Sequence, residues 1–146
     1  MGAGCHYTHE HTGDKAFWID LDCYDEELSS QENIDNYELE WFGIIDDLKY
    51  IFQELGYEPH YKDQYKFNNG LATIELESTY DGYGIIVRLE PNYVPDIFDH
   101  HEDKRHYNLF MANYKRMYNR IKRELLKCYV LRIATGGYTS TKIKAA

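Results

Sequence analysis

Residues 65–90 read YKFNNGLATIELESTYDGYGIIVRLE, and this stretch decides the fold. Asn69-Gly70 is the residue pair that tight hairpin turns favour, because both can enter the left-handed backbone region. The residues after it alternate: Ala72, Ile74 and Leu76 point one way, and Thr73, Glu75 and Glu77 the other. That is the period of a strand with one face buried. Asp81-Gly82 and Gly84 supply a second turn, and Ile85-Ile86-Val87-Arg88-Leu89-Glu90 a further strand. Before the first turn, Tyr61, Tyr65 and Phe67 share one face of a preceding strand. The stretch therefore predicts a three-stranded antiparallel meander, closed by Pro91 and Pro95, which cannot donate to a sheet ladder.

On the N-terminal side, Phe17, Ile19 and Leu21 alternate with polar residues and predict a strand. An acidic loop, Asp25 to Glu32, follows. Asp35 then caps a helix whose apolar positions are Tyr37, Trp41, Ile44, Leu48, Ile51 and Leu55, and Gly56 stands where a left-handed cap ends it. On the C-terminal side a polar connection, Asp96 to Arg105, leads to a second helix with Phe110, Tyr114, Met117, Ile121, Leu125 and Cys128 at helical spacing. A short strand, Tyr129 to Thr135, completes the order. The expected fold is α+β, a single domain with an antiparallel sheet of about five strands and two long helices on one face. In element order it is β-α-β-β-β-α-β, a variant of the split β-α-β arrangement of ferredoxin-like domains. Residues 1–15 read as a polar, His-rich tail, residues 16–137 as the domain, and residues 138–146 as a C-terminal tail.

At 146 residues the chain can bury roughly 70% of its unfolded surface without disulfide or metal staples. Its three cysteines, Cys5, Cys23 and Cys128, are odd in number and widely spaced, which points to free thiols in a reducing compartment. With no apolar run of membrane-spanning length and no signal-peptide pattern, a cytoplasmic location and no membrane partner are expected. The net charge of −9 hides an asymmetry. Residues 1–103 hold 24 acidic and 5 basic side chains, whereas residues 104–146 hold 11 basic ones and a single acid, Glu124. Such a split predicts either pairing between the halves or two different partner surfaces.

Three groups of residues carry possible chemistry. Cys5, His6, His9 and His11 offer thiolate and imidazole ligands suited to zinc, although no CxxC or HExxH spacing accompanies them. Asp20, Asp22, Glu75 and Glu77 fall on the sheet face away from the helices, where clustered carboxylates can hold divalent metal against a phosphoryl group. Lys115, Arg116, Arg120, Lys122, Arg123 and Lys127 concentrate positive charge on the second helix, a surface for nucleic acid or an acidic partner. No phosphate-binding glycine loop, nucleophile elbow or nucleotide-cofactor signature occurs, so no cofactor other than zinc is expected. The leading expectation is a non-enzymatic acidic interaction protein. It would act as a regulator or inhibitor that docks electrostatically on a nucleic-acid-binding protein or another macromolecule. The alternatives are a metal-dependent phosphodiester or nucleotide hydrolase that uses the sheet carboxylates and N-terminal histidines, and a nucleic-acid binder that uses the second helix.

Overall fold

The computed structural model describes residues 15–79, 82–93, 101–134 and 140–144. Its elements are β1 (Lys15–Asp20), α1 (Ser30–Glu54), β2 (Glu58–Pro59), β3 (Lys66–Asn68), β4 (Ala72–Ser78), β5 (Gly84–Pro91), α2 (His101–Leu126), β6 (Leu131–Ala134) and β7 (Ser140–Ile143). All strands pair antiparallel, in the order β2-β3-β4-β5-β1-β6-β7. The inner four, β4-β5-β1-β6, reproduce the split β-α-β arrangement, with β2 and β3 added at one edge and β7 at the other.

The alternation read from the sequence governs the sheet. Phe17, Ile19 and Leu21, then Ala72, Ile74 and Leu76, then Ile85, Val87 and Leu89 all enter one buried cluster. Both helices add to that cluster, α1 through Ile45, Leu48 and Phe52 and α2 through Tyr114, Ile121 and Leu125. Both therefore cover the same sheet face. Ring contacts fix the docking: Phe17 stacks on Tyr118 at 4.8 Å, and Phe52 meets Phe67 edge to face at 5.4 Å. Each fully buried apolar side chain of this size contributes about 1.5–3 kcal/mol.

Several expectations need correction. Among the described residues the sheet has seven strands rather than about five. Residues 138–146, expected to be a tail, contain β7, because Ile143 packs against the core while Lys142 faces Asp20 from the open side. The strand expected from Tyr61 shortens to Lys66–Asn68, since the Asp63 carboxylate accepts from the Tyr65 N–H at 2.9 Å and turns the chain just before it. The hairpin turn is shifted by one residue. Asn69 pairs with Ala72, so Gly70-Leu71 forms the tip, with Gly70 at φ +91° and the Asn69 Oδ1 accepting from the N–H groups of Leu71 and Ala72. A two-residue loop with glycine first is the other favoured hairpin chemistry.

Helix α1 starts earlier than Asp35, at Ser30, because Ser29 and Glu32 form a reciprocal capping box. Its most buried line is Ile45, Leu48 and Phe52; Tyr37, Trp41, Ile44, Ile51 and Leu55 flank it half-buried. Helix α2 begins at His101, inside the expected polar connection, and Cys128 lies beyond its end and is exposed. No helix among the described residues is long and apolar enough to cross a membrane.

Candidate interaction surface

The start of α1 sets the phase of everything the helix displays. Ser29 Oγ accepts from the Glu32 N–H at 3.2 Å, and Glu32 Oε1 accepts from the Ser29 N–H at 3.1 Å. The Ser29 backbone donor, then its hydroxyl, hold the Glu32 carboxyl below its ordinary range. One turn on, buried Asn33 ties the incoming loop to the helix: its Oδ1 accepts from the Asp25 N–H at 2.9 Å, and its Nδ2 donates to the Asp25 and Ser29 carbonyls at 3.0 and 3.2 Å. The acidic loop is thus a clamp on the helix rather than a loose connection.

With that phase fixed, at 100° per residue Asp35, Glu38, Leu39, Phe42, Asp46 and Tyr50 fall within about a third of the helix circumference, centred about 110° round from the buried line. All six are exposed, with Leu39 at 73%, Phe42 at 55% and Tyr50 at 67%. Three large apolar side chains among three carboxylates on an outer helix face differ from the all-polar surface that a solvated helix presents. A hollow of about 440 Å³ adjoins Phe42 and Glu38, lined also by Leu21, Tyr37, Trp41, Ser78 and Gly82. Trp41 meets Phe42 edge to face at 5.2 Å, and its buried Nε1 has no acceptor among the described residues.

The basic residues of α2 divide by position. Arg116, Arg120 and Arg123 are exposed at successive steps of four and three residues, so they share one ridge, and Lys127 is exposed in the turn that follows the helix. Lys115 is exposed on the other flank, where half-buried Lys122 lies over the Tyr118 ring at 5.6 Å. Glu124 pairs with Lys127 at 2.8 Å, and Arg116 donates to Asn113 Oδ1 at 3.0 Å. Among the described residues no ion pair joins α1 to α2, so the pairing of acidic and basic halves raised by the sequence does not occur between the helices.

The sheet carboxylates are not gathered into a metal clamp. Asp20 on β1 is held by Arg132 at 2.8 Å and Lys142 at 3.7 Å, and Glu77 on β4 pairs with Arg88. Glu75 sits in register between Lys66 and Arg88, and Asp22 is exposed beyond the end of β1. Strand β5 separates β4 from β1, which puts their carboxylates about 10 Å apart across the sheet. Among the described residues no three His, Cys, Asp or Glu side chains converge as metal ligands. The zinc candidates Cys5, His6, His9 and His11 lie outside the described residues.

Past Trp18, β1 and β6 stop pairing, and a cleft of about 1030 Å³ opens between their ends. Its walls include Asp20, Asp22, Glu40, Tyr37, Tyr83, Tyr129 and Arg132. Beside it, half-burial, a hydrogen bond to Glu40, and the charges of Glu40 and Asp22 push the Cys23 thiol up to about 11. Burial, with Cys23, Tyr83, Asp22 and Glu40 nearby, likewise raises the Tyr37 phenol. Both groups stay protonated at neutral pH.

The carboxylates of α1 are legible in the sequence as an acidic flank, whereas exposed Leu39, Phe42 and Tyr50 among them were missed because they lie off the buried stripe. The signal was present: Leu39 and Phe42 are apolar residues inside the helix that its stripe does not use. No protein-family model, curated protein or solved structure matches the chain.

Proposed function

We propose that the protein is a non-enzymatic regulator or inhibitor that docks, through the outer face of α1, on a basic surface of a partner protein. A nucleic-acid-binding protein fits that description. The observation that carries this reading is the exposure of Leu39, Phe42 and Tyr50 among Asp35, Glu38 and Asp46. Exposed aromatic and aliphatic anchors supply the desolvated centre of an interface, and surrounding charges guide the encounter. Carboxylates spaced along a rigid helix present a row of negative charge, which a groove built for phosphates accepts. The hollow beside Trp41 and Phe42 adds a concavity for a partner side chain.

The test is affinity capture on immobilised full-length protein from a nuclease-treated extract of its native cells, with elution by a salt step. A basic partner should be retained at low salt, released as ionic strength rises, and lost with the charge-reversed variant Asp35→Lys/Glu38→Lys/Asp46→Lys. Retention that is equal for both proteins would assign the interaction to another surface and refute the proposal.

A further inference from the structure

We infer that the ridge Arg116, Arg120 and Arg123 on α2, continued by Lys127 in the turn after it, is a contact surface for the phosphate backbone of duplex DNA. Eleven residues separate Arg116 from Lys127, so the ridge and its continuation run about 16 Å at 1.5 Å per residue. A duplex strand rises roughly 3.4 Å per phosphate while winding about its axis, so a straight ridge of that length faces only part of the winding row, about three phosphates. Three arginines on a rigid line match such a row.

Their forked donors suit phosphate oxygens better than a point charge does. Asn113 already steadies the Arg116 guanidinium. The one carboxylate on this part of the helix, Glu124, is engaged by Lys127, and the other ion pairs among the described residues lie on the open sheet face. In a chain of net charge −9, a basic ridge is not a by-product of composition. The acidic remainder repels a polyanion elsewhere and leaves α2 as the face of approach. The ridge carries no aromatic ring on which unpaired bases could stack, which disfavours single strands. The open major groove of B-form DNA admits a helix, whereas that of A-form RNA does not.

This inference is independent of the docking role of α1, and its test uses the purified full chain alone. Anisotropy of a labelled 20-base-pair duplex should report binding in the micromolar range at low salt. The slope of log K against log salt should be about −2.7, or −0.9 for each of three neutralised phosphates. Arg120→Gln should lower the slope by about one, and Arg116→Glu/Arg120→Glu/Arg123→Glu should abolish binding with an unchanged melting curve. If the triple variant fails to fold, the slopes of the three single Arg→Gln variants decide. Leu39→Glu/Phe42→Glu should bind the duplex as the unaltered protein does. Absence of salt-dependent duplex binding, undiminished binding by the folded triple variant, or tighter binding of an equal-length RNA duplex or of polyglutamate would overturn the inference.

Discussion

Tyr114 offers the sharpest test of how α2 sits on the sheet. Its side chain is fully buried, its ring stacks on Phe110 at 6.1 Å, and its hydroxyl donates to the Leu89 carbonyl of β5. Tyr114→Phe removes the hydroxyl and keeps the ring contact. A net hydrogen bond contributes about 0.5–1.5 kcal/mol, and leaving a carbonyl lone pair unmet in a dry site raises the loss to about 1–3 kcal/mol. In a chain of this length each kcal/mol moves the melting temperature by about 3–4 °C, so a fall of about 3–12 °C is expected. Tyr114→Ala should cost more, about 3–5 kcal/mol, because it also leaves a cavity. Urea unfolding followed by circular dichroism measures both, and Tyr114→Phe should leave the denaturant slope unchanged. A Tyr114→Phe variant within about 0.5 kcal/mol of the unaltered protein would mean that the hydroxyl reaches solvent. The helix would then be rotated away from the orientation described.

Two further outcomes follow from local geometry. Asn33→Ala should cost about 1–3 kcal/mol in urea unfolding, because it frees the Asp25 and Ser29 backbone groups together; Asn33→Asp should not restore stability, since a carboxylate cannot donate to those carbonyls. Cys23 should alkylate far more slowly than exposed Cys128 at pH 8, and at the same rate once unfolded, as read by peptide mass mapping. The folded Cys23 pKa lies above its unfolded value. Its contribution to stability is therefore fully present below about pH 9 and is lost as pH rises through about 11, so urea midpoints should fall across that window.

The parts of the fold that were legible in the sequence depend on period-two alternation and on turn residues. Ala72, Ile74 and Leu76 fixed which face of the meander is buried, and Gly56, at φ +93°, ends α1 as its position implied. Less legible were features that depend on a neighbour in space. The α1 stripe contains two adjoining apolar lines, and only the sheet beneath, with Phe67 meeting Phe52, selects the line through Ile45, Leu48 and Phe52. Strand β7 carries a single apolar anchor, Ile143, too little for a periodic signal. The carboxylates of the open sheet face looked equivalent by alternation, yet their strand positions send Asp20 to Arg132 and Glu77 to Arg88. The candidate surface on α1 was readable in principle, because Leu39 and Phe42 had no place in the buried stripe.

Whether α1 meets a partner through its outer face is tested most directly by the affinity of the captured partner, once purified, for Leu39→Glu/Phe42→Glu. Both side chains are exposed, so the melting temperature should stay within about 4 °C of the unaltered protein, as each exposed substitution usually changes stability by about 0.5 kcal/mol or less. Anchors at an interface centre are worth about 2 kcal/mol or more, which predicts a dissociation constant at least about 30-fold higher, mainly through faster dissociation. A folded variant that binds the partner as tightly as the unaltered protein does would contradict the account.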